Sequence, residues 1–313
     1  MRILVTGGAG FIGSHTLDAL LAENSHDLAV IDDLSTGKRE WLDPRLRFHH
    51  ADIRNADEVR LVIDRERPEV LIHLAAQMDV RKSVAEPIFD AEVNIGGFLN
   101  LIEAGREKGL KRVIFASTGG AIYGEQEIFP CDEQHRSRPL SPYGISKLST
   151  EMYLFFYKVQ FGIDYVALRY SNVYGPRQDP HGEAGVVAIF CGRMLAQQPC
   201  TIYGDGEQTR DYVYVSDVVR ASLAALNSSA SGAFNIGTGQ ETSVNQLYSA
   251  LARIAGNSQP PIYTAMRPGE QRRSVISPVR AAAELGWRPE VSLNEGLERT
   301  LQFFKSNSML RRR

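Results

Sequence analysis

The stretch Arg2-Ile3-Leu4-Val5-Thr6-Gly7-Gly8-Ala9-Gly10-Phe11-Ile12-Gly13 decides the fold. Its first five residues form a short apolar run, rich in β-branched side chains, that reads as a buried strand. The run breaks into glycines, and a helical pattern from Ser14 to Glu23 follows. Strand, glycine turn and helix start are the opening of a dinucleotide-binding βαβ unit. One glycine permits the tight turn, one lets backbone N–H groups approach a pyrophosphate, and one lets the helix pack close to the strand. The helix N-terminus then offers unpaired N–H groups and a positive dipole end to the phosphates. The next strand, Leu28 to Ile31, ends in Asp32, nineteen residues beyond Gly13. An acid there accepts hydrogen bonds from a ribose diol and repels a 2′-phosphate, which points to NAD rather than NADP. The bland alternative is a strand–helix turn that binds nothing.

Working outward, Asp33-Leu34-Ser35-Thr36-Gly37-Lys38 is a polar loop placed to lie along the adenosine half of the cofactor, with contacts from Asp33, Leu34, Ser35 and Gly37. Leu46 to Ala51 reads as a third strand ending at Asp52-Ile53. Asp52 can accept from an adenine amino group and Ile53 can pack on the ring; Asp52 can also cap the next helix, Asn55 to Arg65. The fourth strand, Val70 to Leu74, ends in Ala75-Ala76-Gln77, whose small side chains leave room for a nicotinamide ribose. His73, inside that run, is expected as a packed core residue. A helix from Phe89 to Lys108 carries Asn94, and the fifth strand, Arg112 to Ala116, ends at Ser117-Thr118. This alternation predicts an α/β fold with a doubly wound parallel sheet of Rossmann type, its ligands at the carboxyl ends of the strands. The candidate residues Gly7 to Gly13, Asp32, Asp52, Ala75, Ser117 and Thr118 fall at those ends.

The second half is less regular. Tyr165 to Tyr170 reads as a sixth strand ending at Ser171-Asn172, residues 175–213 as an irregular lobe, and Gly232 to Gly237 as a strand returning to the sheet. The tail from Ser243 is helical with interruptions. The expected division is a cofactor-binding domain of residues 1–171 with a return segment near 214–240. A smaller substrate-binding lobe would take residues 172–213 and 241–313.

Bulk properties narrow the class. The 313 residues are 43% hydrophobic and 23% charged, with a formal net charge of −2 that gives no reason to expect nucleic acid as partner. Cys131, Cys191 and Cys200 form neither a metal-ligand spacing nor an even disulfide framework, so no metal and a reducing compartment are expected. No run approaches the roughly 18 apolar residues needed to span a bilayer. No signal peptide is read at the start, so the cytoplasm is the expected location.

The chemistry is concentrated in Ser141-Pro142-Tyr143-Gly144-Ile145-Ser146-Lys147. Ser141 suits an N-cap and Pro142 the first helical turn. A helix starting there sets Tyr143 and Lys147 at i and i+4 on one face. A nearby ammonium favours the phenolate, so Lys147 is expected to lower the tyrosine pKa from about 10 and make Tyr143 a usable base. Thr118 or Ser117 can share a substrate hydroxyl's proton with Tyr143, while Lys147 can hold the nicotinamide ribose. An exposed helix pair without function is the alternative for Tyr143 and Lys147.

The chain resembles the extended short-chain dehydrogenases/reductases, and most closely the nucleotide-sugar epimerases of the UDP-glucose 4-epimerase type. The resemblance covers essentially the whole chain. It rests on Thr6 to Gly13, Leu74-Ala75-Ala76, Tyr143 to Lys147, Leu168-Arg169-Tyr170-Ser171-Asn172-Val173-Tyr174-Gly175-Pro176-Arg177, Thr209-Arg210-Asp211-Tyr212-Val213 and Arg267-Pro268-Gly269-Glu270. It implies NAD as a bound prosthetic group, held also by Leu74, Gln77, Asn94, Tyr170 and Val173, and a UDP-sugar as substrate. Asn172 would donate to the diphosphate, and Arg210 and Arg267 would pair with it, as the guanidinium suits phosphate geometry. Glu270 would accept from the uridine ribose, Thr201-Ile202-Tyr203 would lie beside the uracil, and Val187 belongs with these substrate contacts. The implied mechanism has Tyr143 take the proton of the sugar 4-hydroxyl while hydride passes from C4 to NAD. The 4-keto sugar turns over and hydride returns to its other face.

Phe115-Ala116-Ser117-Thr118-Gly119-Gly120-Ala121-Ile122-Tyr123-Gly124 is one residue longer than the usual epimerase version, which leaves Ser117 and Thr118 in competition; counting from Phe115 selects Thr118. Gly119-Gly120-Ala121 supplies no acid, which separates the chain from the related 4,6-dehydratases and UDP-glucuronate decarboxylases. Ser274 falls at the position that gates pocket size in the family, and a small residue there would admit a 2-N-acetyl group. Arg81 and Lys82 leave UDP-glucuronate as an alternative substrate, though a solvated helix start is the better account of them. A keto-sugar reductase keeps the same catalytic residues, and a non-catalytic NAD-binding regulator is the reading from another class. The helices 89–108 and 142–161 are where the family usually forms homodimers, with Phe98, Leu101, Phe155 and Phe156 as interface or core.

Overall fold

The computed structural model describes residues 1–180, 185–257, 259–266 and 271–310. In chain order the first half runs β1 (Arg2–Thr6), α1 (Phe11–Glu23), β2 (Asp27–Asp32), β3 (Arg47–His50), α2 (Ala56–Glu66), β4 (Val70–His73), α3 (Val80–Ala85), α4 (Pro87–Ala91), α5 (Gly97–Glu107), β5 (Arg112–Thr118), α6 (Pro142–Phe161) and β6 (Asp164–Tyr170). The second half adds β7 (Asn172–Tyr174), α7 (Val186–Leu195), β8 (Thr201–Tyr203), β9 (Thr209–Arg210), β10 (Tyr212–Tyr214), α8 (Val215–Asn227), β11 (Gly232–Ile236), β12 (Thr242–Ser243), α9 (Val244–Ala255), β13 (Ile262–Thr264), β14 (Arg273–Ser274), α10 (Val279–Glu284) and α11 (Leu293–Leu310).

Seven strands form one sheet in the order β11-β6-β5-β4-β1-β2-β3, and every pairing in it is parallel. The order reverses between β1 and β4, and the crevice outside that switch point is where such sheets take their ligands. Strands β1, β2, β4 and β6 are largely buried, which explains their continuous apolar runs, whereas the edge strand β3 is partly exposed. One face packs Leu17, Leu20 and Trp287; the other packs Val59, Phe98 and Leu154. A third cluster around Phe190, Leu247 and Leu297 builds the second lobe, where β7 pairs β10, β8 pairs β13, and β9 lies between β12 and β14.

Local expectations and structure differ in three places. The helix expected over 89–108 is broken: a π-helical turn, Glu92–Gly96, separates α4 from α5. Asn94 lies in that turn with its amide bonded to Gln77 and Asp90, and Thr150 Oγ donates to the Asn94 carbonyl, so tertiary bonds hold the wider turn open. Asp52 does not cap α2; Asn55 does, accepting from the N–H groups of Asp57 and Glu58. The 175–213 lobe contains a ten-residue helix, α7, driven by its apolar side Val187, Phe190, Cys191 and Met194.

Candidate active site

The glycine turn is shaped by close approaches. Gly7 has φ +68°, and a Cβ there would stand 2.6 Å from the Ala75 amide nitrogen; a Cβ on Gly13 would stand 2.2 Å from the Gly7 carbonyl. Gly10 caps α1 with no side-chain bond, and the first turn carries no carboxylate. Its N–H groups therefore form a cradle suited to a pyrophosphate. Asp32, 6% exposed, accepts from the Ala9 N–H at 2.9 Å and the Leu34 N–H at 2.8 Å, and burial raises its pKa. A carboxylate has about four lone-pair sites, so these two bonds fix it and leave capacity for a ribose diol. Asp33 holds Ser35 through its N–H at 2.9 Å and its hydroxyl at 2.6 Å. Leu34 sits at φ +57°, and a Cβ on Gly37 would stand 2.7 Å from Asp32 Oδ1.

At the far end of the crevice Asp52 pairs with Arg54 at 2.5 Å, and Ile53 is buried against Gly97. Leu74, Ala75, Ala76 and Gln77 are half-buried beyond β4. Asn94 clamps the Gln77 main chain, accepting its N–H and donating to its carbonyl, both at 2.9 Å; its other N–H goes to Asp90. The Asn94 donors, expected on the cofactor, are thus spent on shaping the floor beneath it. The set fits NAD: an anion cradle, an acid at the ribose distance and an open floor of small residues.

Tyr143 and Lys147 rise from the first turns of α6, which Ser141 caps by accepting the Gly144 N–H at 3.2 Å. Thr118 lies beside the Tyr143 hydroxyl. Lys147 is 3% exposed; its Nζ donates to the Ala116 carbonyl at 2.8 Å and lies 4.7 Å from the Phe115 ring centroid and 5.8 Å from that of Tyr143. The expected lowering of the tyrosine pKa is reversed in this structure. Burial pushes the phenol up and the Asp90 charge adds to that, against the lowering influence of the neighbouring Thr118 hydroxyl. Burial also pushes Lys147 down, to about 8, while Asp90 and Glu151 support its charge. Spacing brought the pair together, and desolvation set the direction of both shifts.

Ser117 and Thr118 face opposite ways. The Ser117 hydroxyl donates to Glu151 Oε1 at 2.5 Å inside the protein. Glu151 is paired with Arg169 at 2.6 Å, and Arg169 donates to the Tyr123 hydroxyl at 2.9 Å, which donates to Asn235 Oδ1 at 2.7 Å. Ser117 is therefore committed to an interior network and does not present its hydroxyl to a ligand. His73 is core, 2.7 Å from Thr6 Oγ and stacked on Phe115, with burial pushing its pKa down to about 3.

Of the residues expected on the substrate, Asn172 is exposed in β7 and its N–H donates to the Asp211 carbonyl at 2.9 Å. Arg210 and Ser274 are opposite each other in register between β9 and β14, with Ser274 4% exposed. Thr201 and Tyr203 flank β8, and Val187 is buried in α7. Tyr170 buries its ring, its hydroxyl 3.4 Å from Ser222, and Val173 packs between two core clusters. Arg267 and Glu270 lie outside the described residues.

A model of the NAD dependent epimerase/dehydratase family matches residues 3–237. The chain belongs to that family. It is 47% identical to a putative UDP-glucose 4-epimerase of Methanocaldococcus jannaschii, over 98% of this chain and 99% of that one. It is 45% identical to a UDP-glucose 4-epimerase of Mycolicibacterium smegmatis, over 98% and 100%. A UDP-glucose 4-epimerase from Thermotoga maritima, solved with UDP-glucose, superposes with a TM-score of 0.96 at 50% identity, covering 98% of this chain and all of that one. A Thermus thermophilus UDP-glucose 4-epimerase complex with NAD gives 0.92 at 47% identity, covering 97% and 99%.

Two carboxylates of this epimerase/dehydratase site went unread in the sequence. Glu151 lies four residues after Lys147 on the same helical face, a spacing that was there to be found. Asp90 precedes Asn94 by the same interval, but its importance depends on α4, α6 and the end of β4 converging.

Proposed function

We infer that the chain is an isomerase, an NAD-dependent UDP-sugar 4-epimerase working through a transient 4-keto sugar. The observation that supports this is the grouping of Tyr143 with Thr118 at the end of β5 and with buried Lys147, whose Nζ is held by the Ala116 carbonyl at 2.8 Å and lies 5.8 Å from the Tyr143 ring centroid. Tyr143 exchanges a proton with the sugar 4-hydroxyl, and Thr118, beside it, shares that proton. Bound NAD supplies reversible hydride acceptance at C4. Asn172, Arg210 and Arg267 hold the diphosphate, Glu270 the uridine ribose, and Thr201 and Tyr203 the base. Residues 1–171 with the 214–240 return form the cofactor-binding domain, and the remainder the substrate lobe.

Proton NMR with UDP-glucose, with absorbance followed at the NADH band, tests the reaction. A galacto-configured product rising to equilibrium without net NADH is expected; net NADH production or no conversion would sink it. Tyr143→Phe should lower turnover by about 10²–10⁴-fold with NAD retained, whereas a regulator would be indifferent.

Ser274 is a small residue in register with Arg210, which supports UDP-N-acetylglucosamine as a proposed second substrate. Ser274→Tyr should abolish the N-acetylated activity and spare UDP-glucose; equal activity on both would refute it. UDP-glucuronate is not favoured: Lys82 is exposed, its Nζ 4.3 Å from the Phe89 ring centroid.

A homodimer is proposed through α6, where Met152, Phe155, Phe156 and Val159 are exposed, while Phe98 and Leu101 are core. Among the described residues no helix is long and apolar enough to cross a membrane. The three cysteines are free and buried, which suits a reducing compartment, and the cytoplasm is the proposed location.

A further inference from the structure

Asp90 is a carboxylate with 0% exposure, buried between three elements. Ser146 Oγ donates to it from α6 at 2.7 Å, Gln77 Nε2 from the loop after β4 at 2.9 Å, and Asn94 Nδ2 from the π turn at 3.0 Å. All three donors are neutral. They satisfy its lone pairs and leave its charge uncompensated, and a buried charge is costly unless another charge balances it. The cation whose field it shares is Lys147, the residue after Ser146. Glu151, the other carboxylate near Lys147, is already neutralised by Arg169 in direct contact. His73, facing Lys147 from β4, is buried and neutral. Tyr143 also lies within reach of the Asp90 charge.

We propose that Asp90 is a positioning residue for the epimerase: it keeps Lys147 as an ammonium and Tyr143 as a neutral phenol in the resting protein, and registers the start of α6 against the end of β4. Asp90 reaches the reacting atoms through Ser146, Lys147 and Tyr143. The proposal rests on Tyr143 and Lys147 being the proton-handling pair. Loss of the Asp90 charge makes the ammonium easier to deprotonate and the phenol easier to ionise. Both groups then titrate at lower pH, whereas a loosened scaffold would cut turnover without moving both titrations in the same direction.

The test is Asp90→Asn, with Asp90→Ser as a second neutral replacement that leaves space for a water at the same donors. In the protein as purified, labelled with ¹³Cζ-tyrosine, the Tyr143 signal is the one absent from Tyr143→Phe. Its transition should move down by about one pH unit or more in the variants, equivalent to tenfold more phenolate at a given pH. The pH profile of UDP-glucose epimerisation should move in the same direction, with kcat changed more than KM. An unmoved phenol transition, or a change in KM alone, overturns the proposal. In the unmodified protein the ¹³C signal of the Asp90 carboxyl reports its charge at the pH of turnover. A protonated carboxyl there overturns the proposal even if neither variant folds. Should Tyr143→Phe keep its turnover, the catalytic assignment falls, while the phenol transition still reports on Asp90.

Discussion

Ser117 and Thr118 carry the same functional group on consecutive residues of β5, and the pleat alone sends them apart. One hydroxyl meets Glu151 in the interior and the other meets Tyr143 at the crevice. Thr118→Ala should therefore lower kcat by about 10²-fold with little change in denaturant midpoint. Ser117→Ala should keep most turnover and lose about 1–3 kcal/mol of stability, because a buried carboxylate loses a donor. The opposite pattern in turnover and urea unfolding would exchange their roles. Counting from Phe115 selected Thr118, but no sequence rule says which hydroxyl a buried glutamate on another element will claim. Tyr143 and Lys147 were legible because one helical turn joins them. Their titration was not, since spacing carries no information about desolvation.

At the level of elements, α6 was readable to its ends: Ser141 and Pro142 start it and Gly162, at φ +70°, stops it. All the signals involved are local. The segment after β4 was not, because its π turn is held by bonds to Gln77 and Thr150 that exist only in the folded molecule. The Glu151–Arg169 pair joins α6 to β6 and is as hidden from sequence, each residue 7% exposed. Arg169→Met should cost about 3–5 kcal/mol, since it strands a buried carboxylate. Urea unfolding with a loss below about 1 kcal/mol would show that Glu151 finds other compensation.

For the whole molecule, the parallel sheet was legible from repeated strand–helix alternation, while the surface was not. Phe98 and Phe155 are both aromatic residues on helices, one 0% and the other 58% exposed. Met152, Phe156 and Val159 stand exposed along α6, an apolar strip of the kind that marks a protein interface. Met152→Glu combined with Val159→Glu should halve the mass seen by light scattering with the fold intact; a monomeric parent protein would remove the dimer. The arrangement of the sheet also bears on how the chain is made. β11, its last strand, lies beside β6 and follows it only after the whole of β7 to α8. The free side of β11 is then blunted: Glu133 accepts the Asn235 N–H at 2.7 Å and Arg280 donates to the Ala233 carbonyl at 2.9 Å. A nascent chain released from the ribosome before Gly232 would hold the complete glycine turn and α6, yet carry β6 as a bare apolar edge. Such a strand recruits other chains. Prematurely terminated messages of this protein would thus yield a chaperone burden in place of a half-working enzyme.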